Sequence, residues 1–179
     1  MLDWEKVSGK LLDYTNVKGK YGKDAAVCAV IDDNYNIILE KRVQNEKDPW
    51  SGQVSFPGGH FEKNDIYIIN TALRELKEET GINNIKILGG LEIQHPKNMP
   101  SLNVYPFLCY KEKFDKLIPQ KDEIQYFFIP NIIELKEGVT NINMDGKTSP
   151  EKCFIYKNEI IWGMTARIIE KIKDLFKDH

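Results

Sequence analysis

Glu75, Glu78 and Glu79 place three carboxylates at i, i+3 and i+4 within the run from Thr71 to Thr80. At about 100° per residue these spacings converge on one face of a helix, away from Lys77. Like charges so placed destabilise a helix by a few tenths of a kcal/mol per pair, and anions in its later turns oppose the macrodipole. A hard divalent cation offsets both effects, because Mg²⁺ and Mn²⁺ take oxygen ligands. The competing reading is a solvated acidic face on a surface helix.

Chemistry at these carboxylates needs a scaffold that brings backbone close to them. Gly58 and Gly59 follow a strand-like run, Gln53-Val-Ser-Phe56, with Pro57 fixing its exit. Without a Cβ, a glycine pair lets backbone approach a metal or phosphate and adopts angles closed to other residues. The helix is predicted from about Ile66 to Thr80, with Asn64 or Asp65 as cap and Gly81 as stop. Its apolar face is predicted to be Ile66, Ile69, Leu73 and Leu76.

Taken together, Phe56 to Ile82 resembles the Nudix hydrolase signature. Gly59, Arg74, Glu75, Leu76, Glu78, Glu79, Gly81 and Ile82 match its pattern. Asp65 stands where that pattern has Glu, and eight residues rather than seven separate it from Arg74. This spacing, with Thr71-Ala72-Leu73-Arg74-Glu75, resembles the coenzyme A pyrophosphatase branch, as does Ile161-Trp-Gly-Met-Thr-Ala-Arg167. The loop before Gly52 departs from it. Where that branch carries Leu-Arg-x-His-x-Gly, this chain has Lys47-Asp-Pro-Trp-Ser-Gly52.

The resemblance implies Mg²⁺ (or Mn²⁺) held by Glu75, Glu78 and Glu79 with the Gly59 carbonyl, and a diphosphate meeting Gly58 and Gly59. It implies that Arg74 orients a signature carboxylate, and that Arg42 faces substrate phosphate or pairs with the helix, the alternative being a surface cation at a strand end. Glu123 is implied to lie close to the metal, the alternative being an ordinary strand-edge carboxylate. Either a helix Glu or Glu123 is the general base. Trp50 stacks on a base or packs its loop onto the core. The implied fold is an α/β/α sandwich with a mixed central sheet; the residues alone give α+β.

The rest of the chain must position this site. With 179 residues and 41% hydrophobic content, one domain is expected over residues 23–179, after an N-terminal helix and hinge over 1–22. Apolar runs at 25–31 and 36–43 read as a β-hairpin, and further strands are expected at 84–94, 104–112, 123–129 and 152–158. A last helix is expected from Met164. The net charge of −2 implies no nucleic-acid surface. No apolar run reaches membrane-spanning length. Cys28, Cys109 and Cys153 read as buried free thiols, which favours a cytoplasmic setting. A homodimer is a further expectation.

Only three of the 25 basic residues are arginines, Arg42, Arg74 and Arg167, so each is a candidate for bidentate work that Lys cannot do. The expected activity is metal-dependent hydrolysis of a nucleoside diphosphate linked to another moiety. Coenzyme A or a derivative is the leading substrate, and ADP-ribose or a dinucleotide the alternative. A non-catalytic Nudix-type nucleotide-binding module is a second alternative. Because the Lys47–Gly52 loop lacks the branch's Arg and His, little preference for a 3′-phosphate is expected.

Overall fold

All of the run from Asp24 to Ile31 is buried, which is the condition of a strand covered on both faces. The computed structural model describes residues 3–114, 116–119, 122–144 and 146–177. In chain order the elements begin with helix α1 (Trp4–Ser8) and strands β1 (Asp24–Ile31), β2 (Leu39–Arg42), β3 (Val54–Ser55) and β4 (Gly58–His60). Helix α2 (Ile68–Thr80) leads to strands β5 (Lys86–Gly90), β6 (Asn103–Tyr110) and β7 (Ile124–Phe128). Strands β8 (Lys136–Met144), β9 (Lys147–Tyr156) and β10 (Glu159–Trp162) precede helix α3 (Gly163–Leu175).

The central sheet has the order β4-β1-β6-β5. It is mixed, as expected: β1 and β6 are parallel, while β4 and β5 run antiparallel to their neighbours. Alternation along β1 divides the core. Ala25, Val27, Ala29 and Ile31 join Ile168, Ile169 and Ile172 of α3. Ala26, Cys28 and Val30 face Ile68, Ala72 and Leu76 of α2. Two smaller antiparallel sheets, β3-β2-β7 and β10-β9-β8, complete the fold. All three cysteines are free and buried. Among the described residues no helix is long and apolar enough to cross a membrane.

Several local expectations need correction. The two runs expected as one hairpin meet at the bridge Ile31↔Ile37 and then part, β1 into the central sheet and β2 into another. Helix α2 begins at Ile68, because Ile66 sits at φ 61 in the preceding turn and is exposed. Its buried stripe is therefore Ile68, Ala72 and Leu76, with Ile69 and Leu73 only half-buried. Asp65 does not cap it: Tyr67 N instead donates to Asn70 Oδ1. Gly81 does end it, at φ 79.

Strands β8 and β10 were not expected. The β8 sequence Lys-Glu-Gly-Val-Thr-Asn-Ile-Asn-Met is only half-buried at alternate positions, so its order comes from pairing with β9 rather than from burial. The N-terminal segment lies against the domain. Val7 is fully buried in the α3-side core, Leu12 bridges Gly90, and the expected hinge is fixed at Lys18↔Tyr67.

Candidate active site

Burying Ile68, Ala72 and Leu76 rotates α2 so that its three site carboxylates experience different surroundings. Glu79 is buried, the Glu75 side chain is 14% exposed and Glu78 is 48% exposed. Strand β4 runs directly against them. Gly58 N donates to Glu79 Oε2 at 2.8 Å. A Cβ on Gly59 would lie 2.4 Å from Glu75 Oε1, and one on Gly58 only 2.3 Å from Ala26 O. Neither glycine has positive φ. Their role here is close approach, not unusual backbone angles.

Arg74 binds this cluster together. Its Nε donates to Asp65 Oδ1 at 2.9 Å, and Nη1 donates to Glu75 at 2.7 Å and to Glu78 at 3.2 Å. Nη2 donates to Asp65 Oδ2 and to the His60 carbonyl. Asp65 also accepts from Thr71 Oγ1 and Glu62 N. Burial would raise the Asp65 carboxyl, but Arg74, Glu62 N and Thr71 together hold it below its ordinary value.

Behind Glu79 stands a residue that sequence reasoning missed. Glu40 on β2 is fully buried; Ser55 Oγ donates to its Oε1 at 2.9 Å, and among the described residues Oε2 has no hydrogen-bond partner. Burial, then the charge of Glu79, pushes Glu40 well above the carboxylate range. Burial likewise pushes Glu79 up to about 8, with Glu75 and Glu123 adding to it against Gly58 N and Arg42. Burial also raises Glu75 against the pull of Arg74. A signal for Glu40 was present: two residues earlier Ile38 packs with α2, and strand alternation puts Glu40 on that face.

The remaining expected residues line the same cleft, about 770 Å³ in volume: Arg42, Trp50, Gly58, Gly59, Arg74 and Glu123. Arg42 is committed to the neighbouring loop, with Nε donating to Asp48 Oδ2 at 2.8 Å and Nη1 3.9 Å from Glu40. Trp50 packs against the core, its ring 5.8 Å from that of His60. Glu123 is exposed in the turn before β7. Among the described residues no three candidate ligand side chains are grouped closely enough to cage an ion; Arg74 Nη1 instead bridges Glu75 and Glu78.

The NUDIX domain family model matches residues 21–151. The chain belongs to the Nudix hydrolase family. The uncharacterized Nudix hydrolase NudL of Pectobacterium atrosepticum is 30% identical over 129 residues, covering 68% of this chain and 66% of that protein. NudL of Yersinia pestis is 31% identical over 146 residues, covering 76% and 70%. The chain thus spans about two thirds of the length of these Nudix relatives.

Solved Nudix structures share the fold. A MutT/nudix family protein from Enterococcus faecalis gives a TM-score of 0.54 at 18% identity, over 87% of this chain and 63% of that one. A C. elegans Ap4A hydrolase gives 0.51 at 18% identity, over 62% and 81%.

Within this Nudix domain, much of the segment Ile161–Arg167 has a structural task. Ile161 is fully buried, Gly163 takes φ 63 at the entrance to α3, and Thr165 Oγ1 donates to Val54 O at 2.9 Å. Trp162 and Arg167 line the cleft together with the backbone turn between them.

Proposed function

We propose that this chain hydrolyses the pyrophosphate bond of a nucleoside diphosphate linked to another moiety, with Mg²⁺ or Mn²⁺. The observation that carries the reading is a desolvated carboxylate cluster, Glu75 and Glu79 backed by Glu40, pressed against a Cβ-less strand in a substrate-sized cleft. The donors fit a hard cation: they are all oxygen, and the missing Cβ of Gly59 leaves space directly beside the Glu75 carboxylate. Glu75, Glu78 and Glu79 would hold the ion, with the Gly59 carbonyl. Such an ion supplies charge neutralisation of the diphosphate and a lowered pKa for attacking water.

The residues of the chain have separate tasks. Arg74, anchored by Asp65 and His60 O, orients Glu75 and Glu78 rather than reaching substrate. Gly58 N fixes Glu79. Glu123, exposed at the cleft, is the candidate base outside the helix, able to accept a proton from water without giving up a buried partner. Arg42 and Trp50 line the same cleft and are the candidate contacts for substrate phosphate and base.

Coenzyme A or a derivative is the leading substrate. The test is a panel of coenzyme A, dephospho-coenzyme A, ADP-ribose and dinucleotides with Mg²⁺ or Mn²⁺, products identified by mass. Release of 4′-phosphopantetheine supports this reading, while brisk cleavage of ADP-ribose alone moves the assignment there. Nucleotide binding without turnover of any compound would make the chain a binding module.

A further inference from the structure

Two of the three arginines are ion-paired, Arg42 with Asp48 and Arg74 with Asp65, Glu75 and Glu78. Among the described residues Arg167 has no carboxylate partner. Its Nε donates to Gln94 Oε1 at 3.1 Å and its Nη2 to His95 O at 3.0 Å, both neutral acceptors. Those acceptors are themselves fixed. Gln94 exchanges backbone hydrogen bonds with Val104, and His95 Nδ1 is 3.1 Å from Leu102 O. The guanidinium is therefore oriented but not neutralised, and three of its five N–H donors remain unused.

Arg167 lines the same cleft as Glu75 and Glu79. It arrives there on α3, whereas the carboxylates come from α2, and the two helices pack on opposite faces of the central sheet. A full positive charge with unused donors, held rigid at a cleft wall, suits a phosphate group, which accepts paired hydrogen bonds from a guanidinium. Other cations near this wall are less suitable. Lys97 is paired with Glu151, and Arg42 with Asp48.

We propose that Arg167 forms a subsite for a second anionic group of the substrate, a phosphate monoester carried apart from the diphosphate. The inference rests on the pyrophosphohydrolase reading and narrows it to nucleoside diphosphates bearing an additional phosphate. It also replaces the expectation drawn from the Lys47–Gly52 loop alone, since the cation comes from α3 instead.

Two measurements test it. The first compares kcat/KM for coenzyme A and dephospho-coenzyme A in wild type, Arg167→Gln and Arg167→Lys. A charge-assisted contact predicts a wild-type preference of about 10- to 150-fold for the phosphorylated form. Arg167→Gln should bring that ratio near one by slowing coenzyme A alone, and Arg167→Lys should retain part of it. Equal losses on both substrates would reveal a merely structural role for Arg167 and overturn the subsite. The second measures binding of adenosine 3′,5′-bisphosphate and AMP to the metal-free protein by calorimetry. Tighter bisphosphate binding that disappears in Arg167→Gln supports the subsite even if neither coenzyme is hydrolysed, an outcome that would count against the activity alone. Equal wild-type affinities, or a preference that survives the substitution, would overturn it.

Discussion

Glu79 gives the site a pH dependence that the metal-free protein should display. Unfolded, its carboxyl ionises near 4.5; folded, it is raised to about 8. Between those values the native state holds a proton that the unfolded chain has released, so stability falls as pH rises. The contribution is complete below the lower value and lost through the upper one. Glu40 is raised in the same direction. In chelator, the wild-type Tm should decline from about pH 5 to pH 8, and Glu79→Gln should reduce that slope while lowering kcat by orders of magnitude. Calorimetry at stepped pH checks the first statement and steady-state kinetics the second. Arg74→Lys keeps a charge but cannot bond Asp65, Glu75, Glu78 and His60 O together. It should cost about 1.5–3 kcal/mol of stability as well as activity, measured by denaturant titration beside an activity assay. Unchanged stability would remove the network role assigned to Arg74.

Each secondary element near the site carries a local feature with its own consequence. Strand β4 presses on β1 so closely that Gly58→Ala would set a Cβ 2.3 Å from the Ala26 carbonyl, which is backbone and cannot swing aside. We expect a loss of about 1–3 kcal/mol in thermal denaturation. Gly59→Ala would press on the Glu75 carboxylate instead, so its larger effect should be on kcat. The entrance to α2 points the other way. Ile66, a β-branched and exposed residue, is held at φ 61, where left-handed backbone costs an ordinary residue roughly 1–2 kcal/mol. Ile66→Asn relieves that cost and should raise Tm with wild-type kinetics. A lowered Tm would show that the isoleucine makes a contact worth more than the strain.

At the scale of the whole molecule, the N-terminal segment is part of the domain's stability. Val7 is fully buried beside α3, Trp4 Nε1 donates to Asp33, and the Trp4 and Phe176 rings meet edge to face at 6.1 Å. Removing residues 1–16 should therefore lower the temperature of a single cooperative transition rather than release an unaffected core. Val7→Ala, which takes away two buried methyl groups, should cost about 2–3 kcal/mol. A truncated chain melting at the wild-type temperature would make residues 1–22 the separate segment that their hinge-like sequence suggested.

The sequence by itself determined what depends on neighbours along the chain. The Glu75, Glu78 and Glu79 spacing, the glycine stop of α2, the unbroken apolar run of β1 and the scarcity of arginine were all legible, because helical and strand periods are local. Asp65 and Arg74 were visible as signature positions, though their mutual bond was not. Tertiary structure alone decided which carboxylates are desolvated, since that depends on how α2 rotates to bury Ile68, Ala72 and Leu76. It also decided that the glycines serve proximity, that Glu40 backs Glu79, and that Arg167 reaches the cleft with no carboxylate partner among the described residues. Each of these joins residues distant in sequence: Glu40 meets Glu79 across two elements, and Arg167 meets Gln94 across 73 positions. Strand β8 was hidden for the same reason: its order comes from hydrogen bonding to β9, and Gly138 and Thr140 occupy two of its half-buried positions, so its hydrophobic alternation is weak in the sequence.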